Sequence, residues 1–244
     1  MKILRGLYTA YVILGFIVFF FIAFIFFLIP IFFPKQFRLT GIINRWWARC
    51  LLTCVALPFK LDYRSTLNRK KQYIFCPNHF SYVDIATLAL NHHNTIFVGK
   101  NDMEKVPLFG FMYRKLHITV DRSKLKSRYS TLLRSLKAID EGKSLVIFPE
   151  GGIITMHDPI MSRFKDGPFR ISIEKQIPIV PVTIPYNWII LPSLGNLFRW
   201  HKMKAVFHEP IDPSSYTLQD VDQYKQRVFD IIHNELNRHL KNEN

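Results

Sequence analysis

Tyr73-Ile74-Phe75-Cys76-Pro77-Asn78-His79-Phe80-Ser81-Tyr82-Val83-Asp84-Ile85-Ala86-Thr87-Leu88-Ala89-Leu90 changes character in its middle. Residues 73–76 form a short unbroken apolar run, the pattern of a strand buried on both faces. Residues 83–90 fit a helix with Asp84 in its first turn, where the helix dipole favours a carboxylate. A buried strand, a polar loop and a helix in succession begin a βαβ unit, and the alternation recurs. Residues 95–98, 118–120, 145–148, 179–184 and 205–207 read as further strands, with helices at 103–113, 125–139 and 169–175. A last helix, from about 218 to 240, carries Val221, Tyr224, Val228, Ile232 and Leu236 along one face, with Thr217 placed to cap it. The expected fold is α/β, a mainly parallel sheet flanked by helices.

Upstream of this unit the chain is of a different kind. Residues 6–34 contain no charge, and 8–29 alone would make a helix of about 33 Å against a hydrocarbon core of ~30 Å. A cleaved signal peptide has a shorter apolar region followed by small residues, whereas 16–27 is mostly bulky. This is an N-terminal membrane helix. Lys2 and Arg5 precede it and Lys35, Arg38, Arg45 and Arg49 follow, which, for a helix that spans the bilayer, puts the remainder on the cytoplasmic side of the cell membrane; entry into one leaflet is the alternative. Residues 41–57, with Trp46 and Trp47, fit an interfacial helix at headgroup level and fit equally an amphipathic helix packed on the domain. Beyond Pro58 comes the basic cluster Lys60, Arg64, Arg69, Lys70 and Lys71. The expected organisation is 1–34 membrane segment, 35–71 interfacial helix and basic connector, and 72–244 α/β domain.

Of 244 residues, 33 are Lys or Arg and 18 are Asp or Glu, a net charge of +15 that calls for an anionic partner. With 49% hydrophobic residues the chain is not disordered. No basic-aromatic platform for nucleic acid is present, which leaves membrane lipids or a phosphorylated substrate. Cys50, Cys54 and Cys76 are too few for a disulfide scaffold and lack the spacing of a metal site, so no metal is expected.

In an open α/β sheet, ligands gather at the carboxyl ends of the strands. There the sequence places His79 with Asp84, then Lys100, then Asp121-Arg122, then Glu150-Gly151-Gly152, with Lys165 downstream. An imidazole held by a carboxylate on one nitrogen can take a proton on the other. Asp84 fits equally a structural capping role. A glycine pair admits an anion close to backbone N–H groups, and arginine offers the fork that suits phosphate. Cys76 reads as a core residue, Ser81 as loop support, and His92 and His93 as exposed. One base and several phosphate donors beside a membrane suggest a phosphorylated lipid with a reactive hydroxyl.

At these residues the sequence resembles the glycerolipid acyltransferase family. Asn78-His79 with Asp84 looks like its NHxxxxD block, Val120-Asp121-Arg122 its second, Phe148-Pro149-Glu150-Gly151 its FPEG block, and Ile177-Pro178-Ile179-Val180-Pro181-Val182 its proline-bearing fourth. Length and the early membrane segment resemble the bacterial 1-acylglycerol-3-phosphate acyltransferase branch. The resemblance implies that His79 is the base and Asp84 its orienting partner, with Asn78, Lys100, Arg122, Glu150, Gly151, Gly152 and Lys165 around the substrate. It implies transfer from acyl-CoA or acyl carrier protein to lysophosphatidic acid, with the donor as co-substrate and no other cofactor. One departure stands out: family members commonly continue FPEG with Thr-Arg, where this chain has Gly152-Ile153. Another lysolipid acceptor, thioester hydrolysis and non-enzymatic binding of anionic lipid are the competing readings.

Overall fold

Alternation along the central strand sends neighbouring side chains to opposite faces, and this divides the core of the structure, a computed structural model that describes residues 2–100, 104–121, 124–154, 159–195 and 197–241. Strand β2 (Ile74–Pro77) is flanked by β5 (Ser144–Ile147) and β6 (Ile179–Thr183), both parallel to it. Strands β3 (Thr95–Lys100) and β4 (Ile118–Val120) continue the parallel order beyond β5. On the other side, β7 (Met203–Phe207) pairs antiparallel with β6 and carries the edge strand β1 (Phe59–Tyr63) parallel to itself. The order is β1-β7-β6-β2-β5-β3-β4.

Ile74 and Cys76 face one side, where Ile96, Leu145 and Ile179 join them under α5 (Leu125–Asp140), α6 (Gly167–Lys175) and α8 (Val221–Lys241). Tyr73 and Phe75 face the other with Phe97, Val146, Val180 and Phe207, beneath Leu88 of α3 (Val83–Ala89). Burial of each such side chain is worth about 1.5–3 kcal/mol, which is why the continuous apolar runs became the central strands. A short 3-10 turn, Leu218–Asp220, precedes α8, and Asp220 Oδ2 accepts the Thr217 N–H at 2.8 Å, so the helix start is capped where the sequence placed the cap.

The connector holds more order than its charge suggests. Strand β1 reads Phe-Lys-Leu-Asp-Tyr, a half-buried alternation at the sheet edge, so the sheet begins at Phe59 rather than after residue 71. Before it, α2 (Arg38–Cys54) buries Ala48, Leu51 and Leu52 against α3 while exposing Ile42 and Trp46. The reading of a helix packed on the domain holds for its inner face, and Ile42 and Trp46 lie on the open one.

Helix α1 (Lys2–Phe32) does not project from the domain. Near its start, the Tyr8 hydroxyl donates to Val55 O at 3.0 Å, and Thr9 Oγ1 accepts from Phe198 N at 2.9 Å. Further along, Phe20, Ala23 and Phe27 pack with Ile43 of α2 and with Met112 and Leu116 of α4 (Phe109–Leu116). The outer face, with Leu7, Leu14, Val18, Phe21, Ile25 and Phe32, is exposed.

Candidate active site

The loop that leaves β2 is drawn tight by one carboxylate. Asp84 Oδ2 accepts the backbone N–H of Phe80 at 2.9 Å and of Ser81 at 3.0 Å, and lies 3.0 Å from His79 Nδ1. A carboxylate oxygen so occupied has no proton to offer, so Nδ1 carries the hydrogen and Nε2 is left with its lone pair. Asp84 thus ties the loop amides and the imidazole together in one group; the amides it binds precede α3, whose N-cap, Tyr82, has no side-chain cap hydrogen bond. The imidazole stacks on Phe148, with ring centroids 3.8 Å apart and planes 22° apart. Asp84 is 0% exposed and His79 is 9% exposed, which leaves the ring one open side.

That side opens on a cleft of about 260 Å³ lined by His79, Tyr82, Lys100, Phe148, Gly152 and Ile153 among others. Gly151 also lines it, at φ +85°, a conformation that favours glycine. Its N–H is taken by Phe148 O at 3.1 Å, so the bend it makes, rather than its donor, serves the cleft. At Gly99, a Cβ would stand 2.1 Å from the Tyr113 hydroxyl, and only glycine lets that ring reach the cleft wall. A second cavity, of about 390 Å³ and almost wholly apolar, lies between α1, α2 and α3, lined by residues such as Val12, Phe16, Leu51, Val55 and Leu191. Tyr82 and Ile85 line both spaces.

Two expected substrate contacts are corrected. Asn78 is fully buried, its Nδ2 donating to Ile184 O at 3.0 Å and its Oδ1 accepting from Ile184 N at 2.7 Å, so it clamps the end of β2 to the end of β6. Glu150 is 0% exposed: Oε1 accepts the His79 N–H at 2.7 Å and Oε2 accepts from Ser162 N at 2.8 Å. It braces the backbone beneath the imidazole. Burial pushes its carboxyl up to about 7, against the hydrogen bonds from Ser162 and His79, which favour the ionised form. Lys165 is exposed beside Gly151 and is not part of the cleft wall. Arg122 lies outside the described residues. Cys76 is buried in the core, its thiol pushed well up by desolvation.

Sequence reasoning missed Asn187. It sits at the start of α7 (Asn187–Ile190), is 1% exposed, and donates from Nδ2 to Asp84 Oδ1 at 2.9 Å and to Thr87 Oγ1 at 2.7 Å. Leu191, one residue beyond that turn, lines the apolar cavity and accepts the Ser81 hydroxyl at 2.8 Å. The arrangement is a hydrogen-bonded chain, Asn187–Asp84–His79, ending in an imidazole Nε2 with no hydrogen-bond partner among the described residues, where a cleft of mixed polar and apolar lining adjoins an almost wholly apolar one.

A family profile described as Acyltransferase matches residues 59–185, from the first residue of β1 to just past β6. A 1-acyl-sn-glycerol-3-phosphate acyltransferase of Haemophilus influenzae is 29% identical over 201 residues, 79% of this chain and 79% of that protein. One from Saccharomyces cerevisiae is 28% identical over 189 residues, 75% of this chain but 62% of that protein, so the match spans less than two thirds of the yeast relative. The crystal structure of a 1-acyl-sn-glycerophosphate acyltransferase from Thermotoga maritima matches with a TM-score of 0.78 at 21% identity, covering 98% of this chain and 97% of that one, and shares the fold.

Proposed function

The chain belongs to the acyltransferase family, and from that premise we propose that it moves an acyl chain from a thioester of coenzyme A or acyl carrier protein to the free hydroxyl of lysophosphatidic acid, giving phosphatidic acid. The observation that carries this reading is the His79–Asp84 pair, its Nε2 facing a cleft that adjoins an apolar cavity. His79 Nε2 takes the hydroxyl proton as the oxygen attacks the thioester carbonyl. The tetrahedral adduct collapses, the C–S bond breaks, and the imidazolium returns its proton to the departing sulfur, so the ester and a free thiol result. Asp84 holds the ring in the required tautomer and faces the positive charge that forms on it. The apolar cavity suits the acyl chain, and Lys100 brings positive charge to the cleft for the phosphate.

The membrane reading follows from α1. Its bonds to Val55 and Phe198 and its packing on α4 would draw domain backbone into hydrocarbon if it crossed the bilayer, where unpaired polar groups cost several kcal/mol. A helix embedded by its outer face, with the domain resting on the membrane surface, satisfies both the exposed Phe and Leu side chains and the docked inner face.

The test is thiol release by the purified chain. It should require lysophosphatidic acid and yield phosphatidic acid; release at the same rate without acceptor would make the protein a thioester hydrolase. Arg122, which the family resemblance assigns to the acceptor phosphate, sharpens this. Arg122→Ala should lose much more rate on lysophosphatidic acid than on an uncharged monoacylglycerol, by the ~10-fold or more of a charge-assisted pair worth about 1.5–3 kcal/mol.

A further inference from the structure

At the opposite end of the sheet, where β3 begins, a polar cavity of about 380 Å³ is lined by Tyr63, Arg64, Ser65, Thr66, Arg69 and His92 among others. Its surroundings carry cations without matching anions. Arg64 is paired with Glu235 at 3.0 Å and Asp62 at 3.6 Å. Arg45 instead donates to two neutral carbonyls, Asn91 O at 2.9 Å and His92 O at 3.0 Å. Among the described residues neither Arg45, Arg49 nor Arg69 has a carboxylate partner. These charges are felt locally: after burial, Arg45, Arg69 and Arg49 each hold His92 below its usual range, and burial together with Arg69 holds His93, buried rather than exposed, at about 4. The pocket's charge is therefore carried by guanidinium groups. The wall also contains a buried hydroxyl, Ser65 Oγ, with no hydrogen-bond partner among the described residues. A buried polar group without a partner costs about 1–3 kcal/mol, and like-charged guanidinium groups repel; rotation of the Ser65 side chain about Cα–Cβ would turn its closed-off hydroxyl to the pocket, where one anion with several acceptor oxygens relieves both.

We propose that this pocket is a second anion site, separate from the His79 cleft, that takes a phosphoryl group between the Arg69 fork and the Ser65 hydroxyl. Arginine matches phosphate through paired donors, and a neighbouring hydroxyl can serve a third oxygen. A phospholipid headgroup and inorganic phosphate share this chemistry. The headgroup has position in its favour, because α2, which carries Arg45 and Arg49, exposes Ile42 and Trp46 beside the outer face of α1.

Two arms separate the sources, each run on the full chain with Arg69→Ala, Ser65→Ala and, as a control for charge alone, Lys71→Ala. In neutral detergent, inorganic phosphate is titrated at constant ionic strength and thermal unfolding is followed. In the other arm, co-sedimentation is measured with phosphatidylcholine vesicles with and without about 20 mol% phosphatidylglycerol, at about 0.15 M salt. In at least one arm Arg69→Ala should weaken binding by about 10-fold and Ser65→Ala by about 3-fold, with Lys71→Ala under about 2-fold. An effect in the vesicle arm identifies a headgroup site, and one confined to the phosphate arm identifies a site for the free ion; either supports the pocket. Arg69→Lys should recover part of the binding, and turnover in detergent should be unchanged in Arg69→Ala. Equal losses in all three alanine variants would reduce the effect to diffuse surface charge and overturn the proposal, as would binding by Arg69→Ala equal to the parent in both arms.

Discussion

The loops after β2 and after β5 each bury a carboxylate completely, and the two do different work. Asp84, in the first turn of α3, is met by four donors: the His79 ring, two backbone N–H groups and the Asn187 amide. Glu150, in an irregular loop with no helix start beneath it, is met by the His79 backbone and by Ser162, and burial pushes it up to about 7. One carboxylate addresses the imidazole and the other the peptide that carries it. Residue type and burial alone do not assign a role; the atoms each oxygen receives do.

The largest effect that bears on this contrast is expected from Asp84→Asn. The amide can present its NH₂ to Nδ1 and favour the wrong tautomer, and turnover should fall by at least ~100-fold with the protein still folded. A loss under about threefold would leave Asp84 only the tying of the loop amides.

A smaller loss is expected from Asn187→Ala, which removes one of the four donors. About a 10-fold fall in kcat with both KM values within twofold would mark it as a positioning residue acting through Asp84. Thr87→Val removes the other acceptor of the same amide and should change kcat less than twofold. If the two variants lose the same activity, Asn187 acts by holding α7 on α3 instead.

The smallest effect, and the one that isolates Glu150, is on stability. Its carboxyl stands at about 7 in the folded protein against an ordinary value of 4.5, so the folded state binds the extra proton between those limits. Stability contributed by this group is therefore full below about pH 4.5 and is lost as pH rises to about 7. Parent melting temperature should fall by a few degrees across that window relative to Glu150→Gln, which cannot titrate. Parallel curves for the two proteins would show that the carboxylate does not titrate there.

What the sequence revealed and what it hid follow the range of the interactions. His79 and Asp84 lie five residues apart on one strand-loop-helix unit, so their pairing was legible in a single line of text. The family resemblance puts Asn78 and Glu150 around the substrate, yet Asn78 bonds a residue 106 positions away and Glu150 one 71 positions away. Asn187, 103 residues from Asp84, sits on a four-residue helix too short to show a period. The buried strands were visible as apolar runs. Strand β1 was masked by Lys60 and Asp62, whose side chains alternate with the packed Phe59, Leu61 and Tyr63 at a sheet edge.

The account rests on a proton leaving through His79 Nε2, and the direct measurement is the single-turnover rate of His79→Ala with acyl thioester and lysophosphatidic acid, beside its melting temperature and membrane partition. The account predicts a fall of at least ~100-fold in the chemical step with folding and partition unchanged. A variant that stays folded and keeps most of the parent rate would contradict it.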